Sequence, residues 1–250
     1  MKRISALMFD CDGVIAETER DGHRVSFNKT FKQQGIDAYW SEEEYGQLVQ
    51  ISGGKERMAA YFSKYPEKYP PEKFTAKYIA ELHKIKTLIF LELCKNLPAR
   101  PGVRRLMLEA HENGLPVFIC STSNEKSVDA IAQSLLGADK EKVITHIYAG
   151  DVVVAKKPAP DIYLLPLKEY NLNPEQCIVF EDTQNGLRAA TAAGIKCIVT
   201  LSIYSQDESF EGAAAVVGCL GDEDTPCALL AGRLSLGGEY LKLADIEKLL

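Results

Sequence analysis

The sequence predicts an open, doubly wound parallel α/β sheet into which a helical domain is inserted early in the chain. Three observations predict it. From about residue 100 onward, short apolar runs of strand length alternate with segments of helical spacing. Between Thr18 and Asn96 no convincing strand occurs. Two of the apolar runs end directly in acidic pairs, and open α/β sheets place their sites at the carboxyl ends of strands.

Taken in order, the strands are expected at Ile4–Phe9, Pro116–Cys120, Ile144–Ala149, Cys177–Phe180 and Lys196–Thr200, with a weaker one at Ala215–Val217. The central runs are continuously apolar, as in strands covered on both faces. Helices are expected between the later strands, at Val103–Asn113, Lys126–Leu136, Pro160–Tyr170 and Asn185–Ala193. The insert reads as helices at Thr18–Gln34, Ser41–Gln50, Lys55–Tyr65 and Glu72–Lys95. Ser41 and Glu44 have capping-box spacing, and Pro70-Pro71 stands just ahead of the last helix. Tyr61, Phe62, Tyr65 and Tyr69 read as the apolar core of this insert. Residues 1–17 and 97–250 thus form an α/β domain and residues 18–96 a helical one. From Gly218 the chain is rich in Gly and Asp, then ends in a short apolar helix, Leu241–Leu250.

Composition narrows the function classes. The chain has 250 residues, 46% hydrophobic and 26% charged, with a net charge of -6. Such a mildly acidic chain lacks the clustered positive charge that nucleic-acid phosphates require, so no nucleic-acid partner is expected. No apolar run approaches the ~18 residues of a membrane span, so no membrane partner is expected either. The N-terminus enters a strand that soon carries Asp10 and does not read as a signal peptide. The insert holds 13 basic against 11 acidic residues, so its net charge is positive and the remainder lies near -8. That difference is weak evidence that the insert faces something anionic, and solvated helix faces explain it nearly as well. The seven cysteines include no C-x-x-C pair, and several lie within apolar runs. They read as reduced core residues of a cytosol-like compartment, with a regulatory disulfide as the alternative.

The chemistry concentrates at four strand ends. Asp10 and Asp12, spaced i and i+2 at the end of the first strand, leave the chain on one side and need a cation or a shared proton to coexist. Mg2+, with its preference for oxygen ligands, is the natural solution. Glu181-Asp182 ends a second strand, and Asp182 completes a metal site with Asp10 if the two strands are neighbours; otherwise it caps the next helix. Ser121-Thr122-Ser123-Asn124 joins a third strand to a helix, either as a phosphate cradle or as an N-cap. Lys157, in Lys156-Lys157-Pro158, is placed to neutralise a phosphoryl group, or is an ordinary surface lysine.

In this order the four motifs resemble the haloacid dehalogenase-like hydrolase superfamily over nearly the whole chain, with a Rossmann-like core and a helical cap inserted after the first motif. The resemblance implies a Mg2+-dependent phosphatase with Asp10 as nucleophile and Asp12 as general acid/base. It places Mg2+ on the Asp10 carboxylate, the Asp12 backbone carbonyl and Asp182, with Glu181 supporting bound waters. It gives Ser121 and Lys157 the phosphoryl oxygens.

A closer resemblance is to the CbbY-type xylulose-1,5-bisphosphate phosphatases, a group also similar to β-phosphoglucomutase. It rests on Asp10-Cys11-Asp12-Gly13-Val14-Ile15-Ala16-Glu17-Thr18-Glu19, His23-Arg24, Gly53-Gly54-Lys55-Glu56-Arg57, Leu82-His83-Lys84-Ile85-Lys86-Thr87 and Cys120 to Lys126. It implies a small sugar phosphate as partner, with Glu19, His23, Gly54, Lys55, Arg57, Lys86, Thr122, Ser123 and Asn124 as substrate-binding candidates. Gly53-Gly54 permits close backbone approach, and Lys55 at a helix start adds charge to the helix dipole. Taken alone, Gly53-Gly54 reads equally as a plain loop, and Lys86 as a solvated residue of a helix face. Relative to the mutase-like pattern, the stretch Thr18–His23 is one residue longer, and Thr18 with Asp21 is an alternative helix cap. A β-phosphoglucomutase-like phosphotransferase, a phosphatase of another small sugar phosphate and a non-enzymatic phosphoacceptor module are the alternative functions. A monomer is expected, in the cytoplasm or, after removal of a transit peptide, the plastid stroma.

Overall fold

A computed structural model describes residues 3–51 and 53–250. Met1, Lys2 and Ser52 lie outside the described residues. By its internal contacts the chain forms two compact units, Met1–Glu17 with Leu97–Leu250, and Thr18–Asn96.

Strand β1 (Ala6–Phe9) is buried throughout and opens the first unit. The second unit begins with a π-helical turn, Thr18–Arg24, which runs into α1 (Val25–Gln33). The sequence predicts one uninterrupted helix here. A π turn holds one residue more than the α-helical spacing, which is how the extra residue between Thr18 and His23 is accommodated. Asp21 pairs with the neighbouring Arg20, Nε to Oδ1 2.7 Å. Next come α2 (Glu42–Leu48), α3 (Gly54–Lys64) and α4 (Ala76–Cys94). The Ser41 hydroxyl accepts the Glu44 N–H at 3.1 Å, fixing the start of α2. Helix α4 starts later than the predicted Glu72, because the N–H groups of Lys73 and Phe74 both turn back to the Pro70 carbonyl. Thr75 then caps α4 through the Tyr78 N–H.

The core of this unit is aromatic. Trp40 is fully buried, with ring centroids of Phe27, Phe31 and Tyr61 at 4.7, 5.1 and 5.3 Å. Tyr69 and Phe62 complete it at 5.0 Å from one another. Tilted and edge-on pairs at these distances add about 0.5–1.5 kcal/mol each beyond the burial of their surface.

The first unit resumes with α5 (Val103–Glu112), β2 (Val117–Ser121), α6 (Glu125–Leu136), the short α7 (Lys140–Val143), β3 (His146–Ala149) and α8 (Asp161–Glu169). It continues through β4 (Cys177–Glu181), α9 (Gln184–Ala192), β5 (Lys196–Thr200), β6 (Ala215–Val217), β7 (Leu229–Gly232) and α10 (Leu243–Glu247). The sheet order is β3-β2-β1-β4-β5-β6-β7. Its first six strands are parallel and β7 is antiparallel to β6. Strand order therefore reverses between β1 and β4, with Phe9 opposite both Ile119 and Phe180. Crevices at such reversals hold the ligands of open α/β sheets.

The Gly- and Asp-rich tail gives no strand signal, yet it supplies β7, whose four residues are all exposed. The run is apolar, Leu229-Leu230-Ala231, but short and set between a proline turn and a glycine, so it reads as loop. The terminal helix is also shorter than predicted. The seven cysteines are buried and unbridged.

Candidate active site

At the crevice, β1 delivers Asp10, whose N–H bonds the Phe180 carbonyl at 2.9 Å, so it stands beside the end of β4. The chain then turns sharply at Gly13, with φ +77°. A Cβ on Gly13 would lie 1.9 Å from Asp182 Oδ2, so glycine is required for conformation and for space. Gly186, in the first turn of α9, leaves space beneath Glu181: a Cβ there would meet that carboxylate at 1.9 Å. The Gly186 N–H is capped by the Thr183 hydroxyl at 3.1 Å.

Three carboxylates, those of Asp10, Glu181 and Asp182, gather here with one oxygen of each within 4.8 Å of the others, all buried. One ammonium reaches them. Lys157 Nζ lies 2.5 Å from Asp10 Oδ1 and 2.6 Å from Glu181 Oε1, and donates to the Cys120 carbonyl at 3.0 Å. Burial pushes the Asp10 carboxyl up to about 8; Lys157 opposes this, while Glu181 and Asp12 add to it. Asp182 is raised well above the carboxylate range by burial, then by Glu181 and Asp10, against a Ser202 hydrogen bond and Arg100. Burial alone would lower Lys157, but Asp10 and Glu181 together raise it, so it stays an ammonium. Tyr163 donates to Glu181 Oε1 at 2.5 Å and, itself fully buried, orients that carboxylate.

With Asp10, Glu181 and Asp182 all ionised, the cluster would carry more negative charge than Lys157 balances, and the atoms it offers are hard oxygens. These residues fit a small divalent cation of the magnesium type. Asp12 stands apart. Its carboxylate oxygen Oδ2 accepts the Ser123 hydroxyl at 2.5 Å and that of Ser121 at 3.4 Å. Ser121 also accepts the Ser123 N–H at 3.1 Å. Thr122 is exposed, and Asn124 caps α6 through the Lys126 N–H at 3.0 Å. Asp10, Asp12, Ser121, Ser123, Lys157, Glu181 and Asp182 thus converge on one crevice, built from the ends of β1, β2 and β4 and the segment after β3.

Four candidates of the second unit form two clusters, and Gly54 and Lys55 lie outside both. In one, the Glu19 carboxylate and the Arg57 guanidinium share the Tyr45 hydroxyl and lie 3.4 Å apart, and Arg57 also donates to the Val49 and Ile51 carbonyls at 3.3 Å. In the other, Lys86 Nζ lies 2.5 Å from His23 Nδ1 and 4.7 Å from the ring centroids of Phe27 and Phe90. Lys86 is 4% exposed and not a solvated helix-face residue: two aromatic faces hold its ammonium inside. The His23 ring stacks on Phe90 at 3.8 Å. Gly54 opens α3 beside His83, whose Nε2 would lie 2.8 Å from a Cβ there, and Lys55 is exposed one residue on.

The family model for haloacid dehalogenase-like hydrolases matches residues 4–194. The chain belongs to this family. It is an enzyme of the phosphatase class. It is similar to the CBBY-like protein of Arabidopsis thaliana, at 52% identity over 223 residues, covering 87% of this chain and 70% of the relative. Protein CbbY of Cereibacter sphaeroides is 40% identical over 212 residues, covering 84% and 90% of the two chains. Among solved structures, CbbY from Rhodobacter sphaeroides in complex with phosphate superposes with a TM-score of 0.73 at 38% identity, covering 86% of this chain and 94% of that one. A mutant of the same protein in complex with xylulose-(1,5)bisphosphate gives 0.72 at 37% identity, with the same coverage.

Three contributors escape sequence reasoning. Tyr163 lies within an ordinary helical pattern. Gly186 reads simply as part of a helix opening. Arg100 is the third. Its buried guanidinium donates to the carbonyls of Gly13, Thr200 at 3.2 Å, Leu201 at 2.5 Å and Gly218 at 2.9 Å, and meets Glu17 at 3.4 Å. It fastens the turn after Asp12 to the ends of β5 and β6. The only sequence signal is an arginine directly before Pro101-Gly102, where the chain re-enters the sheet.

Proposed function

We propose that this hydrolase is a Mg2+-dependent phosphatase that removes one phosphate from xylulose 1,5-bisphosphate to leave xylulose 5-phosphate. The observation that carries the chemistry is the convergence of Asp10, Lys157 and the Glu181-Asp182 pair at the sheet reversal, with Asp12 held by two serines. The sugar is supported by the likeness to a protein of the same fold in complex with that bisphosphate.

In this reading an Asp10 carboxylate oxygen attacks phosphorus and the P–O bond to the sugar breaks, leaving a phosphate ester on Asp10. Asp12, in hydrogen-bond reach of Ser121 and Ser123, gives its proton to the departing sugar oxygen. It then takes one from the water that hydrolyses the ester, which restores both aspartates. Lys157 and Ser121 hold phosphoryl oxygens as charge builds on them. Asp10, the Asp12 carbonyl and Asp182 would hold Mg2+, with Glu181 in support; bound there, the ion supplies charge neutralisation for nucleophile and phosphate. Ser123, Thr122 and Asn124 border the same phosphate site. Lys86, Lys55, Arg57, His23, Glu19 and the open backbone at Gly54 are assigned to the second phosphate and the sugar hydroxyls.

Phosphate release from xylulose 1,5-bisphosphate, ribulose 1,5-bisphosphate and β-glucose 1-phosphate tests the reading, with wild type and Asp10→Asn in parallel. A strong preference for the xylulose compound that vanishes in Asp10→Asn is expected. Equal release across the panel would sink the sugar assignment, and isomerised product without net release would favour a phosphotransferase. Activity surviving in Asp10→Asn would overturn the nucleophile.

A further inference from the structure

Cys219 and Cys227 lie beyond the stretch matched by the family model, where β6 and β7 run on toward an exposed turn. After a bulge, Val217 is opposite Leu229. The Gly218 N–H bonds the Ala228 carbonyl at 3.0 Å, and a Cβ on Gly218 would lie 3.9 Å from that of Ala228. Continuing this antiparallel register past the strand ends would set Cys219 against Cys227. The Gly218 N–H bond makes 218 and 228 the bonded position, so a continued ladder would make 219 and 227 a non-hydrogen-bonded pair, in which Cα atoms approach to about 4.5 Å. The Cys227 N–H points away from its partner, to the Glu239 carbonyl, as that pair type demands. The Cys219 thiol lies 3.6 Å from the carbonyl of Pro226, the residue joined to Cys227. Disulfides span Cα separations of about 4.4–6.8 Å, and a continued register would put these two Cα atoms in that range.

We propose that Cys219 and Cys227 are a redox-active dithiol that a disulfide oxidant converts reversibly into a cross-strand disulfide, locking the end of the β6–β7 hairpin. One cysteine, as thiolate, attacks the oxidant and expels one thiol. The other attacks the resulting mixed disulfide and expels the second. The two cysteines lose two protons and two electrons, and the oxidant is reduced to two thiols. The pair is buried at 8% and 7% exposure, but the turn residues 223–226 are exposed, which opens a route for a small reagent. Burial and the neighbouring Cys219 push the Cys227 thiol up to about 11, so exchange is slow at neutral pH and faster in mild alkali.

The lock would act on a segment that supports the crevice. The Gly218 carbonyl holds Arg100, which also holds Gly13, while the Leu220 and Gly221 carbonyls hold Arg105. The inference does not depend on which sugar phosphate is cleaved.

The test treats the native protein with hydroxyethyl disulfide, an uncharged oxidant suited to a turn that carries Asp222, Glu223 and Asp224. Remaining thiols are then alkylated and the chain is cut after Glu223, between the two cysteines. The expected result is a linked pair of peptides carrying Cys219 and Cys227, released by dithiothreitol, with a higher thermal midpoint than reduced protein and no such rise in Cys227→Ala. Recovery of both cysteines singly alkylated, or of either bridged to a different cysteine, would overturn the pairing. A bridge that leaves the midpoint unchanged would overturn the locking role.

Discussion

Lys157 Nζ stands 2.5 Å from Asp10 Oδ1, and the same nitrogen is 2.6 Å from Glu181 Oε1. Among the described residues it is the one ammonium that reaches these buried carboxylates, and both its electrostatic and its positional effects can be measured. Lys157→Met fills the space without the charge. Removing one partner of a buried pair costs about 3–5 kcal/mol, and losing a donor to the reacting oxygens costs roughly 10²–10³ in kcat. Denaturant unfolding and initial rates are expected to show both losses. A Met variant with near wild-type kcat would remove Lys157 from the chemistry.

The same crowding of carboxylates predicts a metal effect that does not depend on turnover. A cation that binds the folded state alone raises its stability by mass action. Mg2+ is therefore expected to raise the thermal midpoint of the wild type, and EDTA to reverse this and abolish activity. In Asp182→Asn the affinity, read by calorimetry, is expected to fall by more than about 10-fold. An unchanged Mg2+ isotherm in that variant would place the ion elsewhere.

Gly13 and Gly35 separate two consequences of losing a glycine. Both have positive φ, +77° and +62°. A Cβ on Gly35 meets nothing within 4 Å, whereas one on Gly13 meets Asp182 Oδ2 at 1.9 Å. Gly35→Ala is expected to cost only the backbone strain, about 1 kcal/mol, with kcat unchanged. Gly13→Ala adds a collision with a candidate metal ligand, so Mg2+ affinity and kcat should fall together. Equal, purely thermodynamic effects in the two variants would contradict this account.

How much of this was legible beforehand follows from where the signal lies. Strands β1, β2 and β4 are buried throughout, β5 except at Lys196 and β3 only at Tyr148 and Ala149; an apolar run marks each, and the acidic residues that follow mark the reversal between β1 and β4. Helices α5, α6, α8 and α9 end close to their expected places because each lies between a strand and a turn residue. The π turn at Thr18–Arg24 escaped, because one extra residue changes helix type without changing composition. Strand β7 escaped because its apolar run is short and lies among the glycines and acidic residues of the tail. Lys86 misled for a related reason: a lysine on a helix reads as solvated, and only the fold brings Phe27 and Phe90 around it. Arg100 braces backbone carbonyls distant in sequence, and no local pattern encodes that.

Asp245, in the first turn of α10, tests the C-terminal segment by pH. Burial alone would raise its carboxyl, but Lys248 at 2.9 Å and the N–H groups of Lys242 and Gly237, at 3.3 and 3.0 Å, outweigh it and hold it below its ordinary 3.8. A carboxyl depressed in the folded state binds fewer protons there than when unfolded. Its contribution is therefore complete above pH 3.8 and is lost as pH falls through the folded value. Asp245→Asn removes the charge but keeps the shape. The wild type is expected to be more stable than this variant by about 1–3 kcal/mol at pH 7, with the gap closing under acid. Unfolding curves of both proteins from pH 7 down toward pH 3 decide it, and a gap that stays constant across that range would show that the carboxylate does not anchor the tail.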